Sequence, residues 1–137
     1  ENMKNHLMAA LMACASAAFV ANTAQAADIK IGLLLPKSGP YAALGKEIED
    51  GFTMALEEGG KSEEFKIVSE DSEAKPQTGV AKARKLVLQD EVDAMVGIVS
   101  SAVLGAVRDF VDSSKVPLVV ANAGNDQATG ANCSRLK

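Results

Sequence analysis

Residues 29–58 read IKIGLLLPKSGPYAALGKEIEDGFTMALEE, and the change of period inside this stretch decides the fold. Ile29 to Leu35 is a short run rich in Ile and Leu, stopped by Pro36, which is how a buried strand reads. The segment KSGPY is a turn by composition, with Gly39 and Pro40 at its centre. From Leu44 the apolar residues recur at helical spacing: Leu44, Ile48, Phe52, Ala55 and Leu56 fall on one stripe. Glu47, Glu49, Asp50, Glu57 and Glu58 take much of the other face and the far end. Gly59-Gly60 then stops the helix.

The same strand–turn–helix unit recurs downstream. Phe65 to Glu70 (FKIVSE) is a second strand, more polar than the first, and its partial alternation suits an edge position. After the loop DSEAKP, Pro76 fits the first turn of a second helix, where its missing N–H costs nothing. Val80, Ala83, Leu86 and Val87 give that helix its apolar stripe, leaving Lys82, Arg84 and Lys85 as a mostly solvated face. Ala94 to Val99 (AMVGIV) is a third strand. Ser100-Ser101 is placed to cap a third helix carrying Val103, Val107, Phe110 and Val111. Pro117 introduces a last strand, Leu118 to Ala121, and the tail from Asn122 to Lys137 is polar and without period.

The order β-α-β-α-β-α-β, with strands that are nearly continuous apolar runs, predicts an α/β fold: an open parallel sheet with helices on both faces. The last strand is followed by a loop but not by the helix that would cover it. The sequence therefore reads as an incomplete lobe.

Upstream, residues 1–27 differ in texture. Lys4, the almost uncharged run from Leu7 to Val20 and Ala24-Gln25-Ala26 form the n-region, h-region and small-residue cleavage site of a secretory signal peptide. Cleavage is expected after Ala26 or Ala27, leaving 28–137 as the folded part in the periplasm. Leu11-Met12-Ala13-Cys14 loosely resembles a lipobox, but the apolar run continues past Cys14 and a better conventional site follows, so a lipid anchor there is the lesser reading. Cys133 is then the one cysteine left in the mature part, with no partner upstream of it.

Composition narrows the function. A net charge of −4 with 47% hydrophobic and 23% charged residues excludes a highly charged disordered tail and a basic nucleic-acid-binding module. With no Trp and one Tyr, a platform for stacking bases is not expected. Enzyme signatures fail on spacing. Gly39 and Gly45-Lys46 enclose five residues where a phosphate-binding loop needs four, and Glu47 stands at the Ser/Thr position that would meet magnesium. No dinucleotide fingerprint follows the first strand. His6, the sole histidine, lies in the leader, so Ser100-Ser101 lacks a base, and neither a metal nor a cofactor is expected. Glu70, Asp71 and Glu73 form a carboxylate cluster, which reads as a solvated, charge-rich loop. Asn132-Cys133-Ser134 matches a glycosylation sequon only formally.

What remains is binding. In an open parallel sheet, ligands settle outside the carboxyl ends of the strands, most often where strand order reverses. Those ends carry Ser38-Gly39-Pro40-Tyr41, Ser100-Ser101 and Asn122-Ala123-Gly124-Asn125. Taken singly, the first reads equally as a turn, the second as an N-cap and the third as a tight loop. Their coincidence at three strand ends reads as a small-solute site, with a helix start offering N–H groups to an anion.

The segments IKIGLLLPKSGPYAALGKEIEDGFTMALEE, DSEAKPQTGVAKARKLV, VDAMVGIVSSAVLGAVRDF and VPLVVANAG resemble the leucine/isoleucine/valine-binding group of periplasmic solute-binding proteins, the soluble receptors of ABC importers. The resemblance implies a two-lobed receptor closing by a hinge, of which 28–137 supplies most of the N-terminal lobe. It implies that Ser101, with Ser100 beside it, receives a ligand carboxylate, and that Ala123, Gly124 and Asn125 hold its charged groups. Leu44 stands where the family has a ring-bearing residue, and Tyr41 is the alternative wall. The implied ligand is a branched-chain or related amino acid. Aromatic or other small carboxylic acids, or a ligand-binding role in a sensory protein, are the alternatives, because Asn125 and Leu44 depart from the amino-acid-binding pattern. The implied partners are the membrane permease subunits. An extracytoplasmic enzyme on the same scaffold is the remaining class.

Overall fold

A computed structural model describes residues 28–126. The expected leader over 1–27 with Cys14, and the tail holding Asn132 and Cys133, lie outside the described residues. Four strands, β1 (Ile29–Leu35), β2 (Phe65–Asp71), β3 (Ala94–Gly97) and β4 (Leu118–Val120), alternate with α1 (Ala42–Glu58), α2 (Pro76–Leu88) and α3 (Ser101–Ser114). All pairings are parallel and the order across the sheet is β2-β1-β3-β4.

β1 is central because it can be. Leu33, Leu34 and Leu35 are fully buried, and only a strand covered on both faces tolerates three consecutive leucines. Alternation sends Leu34 to one face, where it packs with Ala83 and Leu86 of α2 and Val103, Leu104, Val107 and Val111 of α3. Ile31, Leu33 and Leu35 go to the other face, under Leu44, Ile48 and Phe52 of α1. Helices therefore cover both faces, and β2, whose residues are only partly buried, is an edge as its polar alternation predicts.

Helix ends follow local chemistry. Gly60 adopts φ +64, and the Gly60 and Lys61 N–H groups bond back to the Glu57 and Leu56 carbonyls at 3.0 and 2.8 Å, closing α1 in a Schellman motif. Pro76 occupies the start of α2. α2 and α3 approach closely at Gly79, where a Cβ would lie 2.6 Å from Val103 Cγ1.

The differences from the sequence reading are local. α1 begins at Ala42, two residues before Leu44, and Ala55 lies exposed although it falls on the apolar stripe. β3 ends at Gly97, short of Val99, because Gly97 (φ +136) and Ile98 (φ +64) turn the chain off the sheet. β4 likewise ends at Val120, although the Ala121 N–H still bonds the Gly97 carbonyl at 2.8 Å. The basic side chains of α2 are not simply solvated. Lys82 and Lys85 both reach Glu70 at 2.7 Å, and the Arg84 guanidinium lies 4.8 Å from the Phe110 ring centre. On β4, Val119 alternates to the α1 side of the sheet and stays 47% exposed. Among the described residues no helix is long and apolar enough to cross a membrane.

Candidate functional site

In the order β2-β1-β3-β4, the chain passes from β1 outward to β2 and then returns to the far side of β1, so the strand order reverses between β1 and β3. α1 leaves β1 over one face, and α3 leaves β3 over the other. The connections after β1 and β3 therefore part at their carboxyl ends, the place where such sheets take ligands. Because every pairing is parallel, the turns 38–41, 98–101 and 121–125 all stand on this one rim.

The β3–α3 connection is built under strain. Ile98 is buried with φ +64, a conformation that a β-branched residue rarely adopts. Two hydrogen bonds and its packing hold it there: its N–H donates to the Leu34 carbonyl at 2.9 Å, its carbonyl accepts from the Ala123 N–H at 3.1 Å, and its side chain is buried in the core. The reversal lets Ile98 fill one face and Val99 the other, and delivers Ser100 to the N-cap of α3. Ser100 has extended backbone there, but its hydroxyl makes no capping bond, which corrects the expected side-chain cap. Ser101 is exposed in the first turn. The first i→i−4 bond of α3 is that of Leu104 to Ser100, so the amides of Ser101, Ala102 and Val103 precede the ladder, and no acidic residue occupies the first turn.

Residues 122–125 lie against this helix start. The Ala123 N–H bond ties the loop to Ile98, and Asn125 Nδ2 stands 3.1 Å from where a Cβ on Gly105 of α3 would be. Gly124 is exposed with open space where a side chain would project. Ser100, Ser101, Ala123, Gly124 and Asn125 are thus brought together on the β3–β4 half of the rim.

The other two predicted residues sit differently. Tyr41 precedes the first residue of α1 and is 47% exposed. Leu44 is half-buried and packs on the cluster of Ile31, Leu33, Leu35 and Val99, so its side chain serves the sheet face. A depression of 460 Å³ beside α1 is lined by Lys37, Ala42, Ala43, Lys46, Glu49 and Asp50; its charges are paired, Lys37 to Glu49 at 3.0 Å and Lys46 to Asp50 at 2.5 Å.

The carboxylate cluster is the part that sequence reasoning misjudged. Asp71 Oδ1 accepts from the Lys37 and Glu73 amides at 2.8 and 2.7 Å, and Oδ2 accepts from the Ser38 hydroxyl at 2.7 Å. Partial burial opposes ionisation of Asp71, but these bonds outweigh it and hold the carboxyl below its ordinary range. Glu70 is held down by hydrogen bonds from Lys82 and then Lys85, against the smaller opposing effect of burial. Neither is a solvated loop charge. Among the described residues no group of His, Cys, Asp and Glu is arranged to hold a metal ion.

A family profile described as periplasmic binding protein matches residues 28–136. The chain is 37% identical over 102 residues to the Leu/Ile/Val-binding protein BraC3 of Rhizobium johnstonii, covering 71% of this chain and 28% of that protein. To Leu/Ile/Val-binding protein homolog 3 of Brucella melitensis it is 32% identical over 126 residues, covering 88% and 32%. Among solved structures, an ABC-type branched-chain amino acid transporter protein of Rhodopseudomonas palustris superposes with a TM-score of 0.74 at 29% identity, over 80% of this chain and 31% of that one. A solute-binding protein of an ABC transporter from R. palustris, solved in complex with benzoate, gives 0.73 at 32% identity, over 79% and 31%. The chain spans about a third of the length of the relatives it matches.

Proposed function

From the premise that this chain belongs to the periplasmic binding protein family, we propose that it supplies one half of the solute pocket of an ABC-importer receptor, and that the solute carries a carboxylate. The observation that carries this reading is the start of α3: at the reversal of strand order, three amides ahead of the helical ladder and the exposed Ser101 hydroxyl stand beside the 122–125 loop. A carboxylate seated there meets the positive end of the helix dipole and needs no arginine. The Ala123 N–H is already committed to Ile98, so Ala123 offers its carbonyl, an acceptor suited to an ammonium. Gly124 lets a ligand approach the backbone, Asn125 adds a polar side chain, and the exposed Tyr41 ring lines the mouth in place of Leu44.

A branched-chain or related amino acid is the ligand we favour, given relatives described as Leu/Ile/Val-binding proteins. A second reading, an aromatic carboxylic acid, has specific support in the similarity to a benzoate-bound protein. In both, the protein is a receptor and not an enzyme. Residues 1–27 act as its signal peptide, the periplasm is its compartment, and closure over solute presents it to membrane permease subunits. A thermal-shift panel of the full-length protein with L-leucine, L-isoleucine, L-valine, benzoate and 4-hydroxybenzoate tests this. A ligand of the folded state raises Tm with concentration, and at one hundred times Kd the gain is about 2.7 kcal/mol. A flat response across the panel refutes the reading.

A further inference from the structure

We propose that Asp71 is the positioning residue of the rim's first turn: its carboxylate fixes Ser38-Gly39-Pro40-Tyr41 where that turn can face a solute. The proposal rests on the receptor reading above and adds a residue outside the pocket to it. In the parallel register Leu35 is opposite Asp71, so the last side chain of the edge strand lies level with the start of the turn. From there one carboxylate gathers the Lys37 amide, the Ser38 hydroxyl and the Glu73 amide. The turn's other bonds tie it to α1, through Ala42 N–H to the Gly39 carbonyl at 3.2 Å and Gly45 N–H to the Tyr41 carbonyl at 3.0 Å. Asp71 is its lateral anchor.

The loop on the far side of the carboxylate is itself held in an unusual shape. Glu73 and Ala74 both have left-handed backbone, φ +50 and +54, which residues with a Cβ seldom adopt in succession. Ser72 is buried, donates its N–H to the Leu35 carbonyl at 3.0 Å and accepts the Ala74 N–H on its hydroxyl at 3.4 Å. Gly39 lies across from this loop, with the Glu73 carbonyl oxygen 3.8 Å from where a Cβ would be. The carboxylate therefore welds two rim turns into one block. With three donors from these two turns on it, the carboxylate acts as the brace of the turn.

Chemistry sets the variants. Asp71→Asn keeps an oxygen for the two amides and can present its NH2 to the Ser38 oxygen, so it is the rescuing change, whereas Asp71→Ala removes every bond. In the full-length protein, hydrogen exchange of a peptide spanning 36–43 and affinity for L-isoleucine and benzoate are measured together. Asp71→Ala is expected to speed exchange in 36–43 while leaving α3 protected, and to weaken the bound probe by about tenfold, as loss of a charge-assisted anchor implies. Asp71→Asn restores most of both, and Ser38→Ala added to Asp71→Ala changes neither further. Unchanged exchange in 36–43, or faster exchange with unchanged affinity, overturns the proposal. If Ser101→Ala weakens the probe and Asp71→Ala does not, the receptor reading stands and this one falls. If the wild type binds no probe, both are overturned.

Discussion

Gly45 passes so close over the end of β1 that a Cβ on it would collide with the Pro36 carbonyl oxygen. The first turn of α1 is seated on the strand's exit by the absence of one carbon. Gly51, on the same helix, is exposed and has nothing within 4 Å of the equivalent position. The two glycines should respond to alanine with opposite sign. Gly45→Ala is expected to destabilise by about 1–3 kcal/mol through forced displacement of the backbone. Gly51→Ala should stabilise by roughly 0.5–1 kcal/mol, since glycine weakens a helix interior. Urea midpoints of the two variants check this.

A second close approach joins the helices on the other face. Gly79→Ala drives a methyl onto Val103, which is buried, and should cost about 1–3 kcal/mol. Val103→Ala in the same chain removes the obstruction. The double variant is expected to lose less stability than the sum of the single ones, a coupling that a double-mutant cycle reads directly.

At the rim, Ser101→Ala should leave Tm unchanged because the side chain is exposed, and weaken a carboxylate ligand by about tenfold, the scale of one hydrogen bond to a charged group. Gly124 is exposed with open space where a Cβ would project, so Gly124→Trp is expected to preserve stability while abolishing binding. Calorimetric titration with L-isoleucine and benzoate separates the two outcomes.

Acid should loosen the β2 edge first. The Glu70 carboxyl is lowered by its bonds to Lys82 and Lys85, and Asp71 by amide and hydroxyl donors that outweigh partial burial. A depressed folded-state pKa means that the unfolded chain binds more protons in the interval. Their contribution is full above the unfolded carboxylate range, at about pH 4. It is lost as pH falls through the lower folded values. Urea midpoints measured from neutral pH downward should fall steeply in acid, and Glu70→Gln should flatten part of that slope.

Much of this architecture was legible because burial leaves a trace in residue type. Three leucines in a row announce a doubly covered strand, FKIVSE announces an edge, and the stripe Leu44, Ile48, Phe52 announces a helix on the sheet. The rest depends on partners distant in sequence. Nothing in the spacing of Asp71 reveals that Leu35 lies beside it, so its role waited on the strand register. Ile98 argues against its own backbone, since only the surrounding core makes a left-handed isoleucine tolerable. Leu44 belongs to that legible stripe, and it packs on Leu33 and Leu35 as the helical spacing predicts. The gathering of Ser101 with 122–125 follows from an order, β2-β1-β3-β4, that the sequence implies only through its alternation of elements.

The central place of β1 has a consequence for how the chain acquires its shape. β1 is the earliest described strand to emerge during synthesis, yet both of its neighbours, residues 65–71 and 94–97, are made after it. Until Gly97 has been added, at least one flank of IGLLL is an unsatisfied ladder of amides and carbonyls, and until α3 follows, Leu34 lacks half of the helical cover on its face. Such long-range parallel pairing is slow to form and prone to association between nascent chains. The segment that most firmly organises the finished sheet is thus also the one most in need of protection while the sheet is being made.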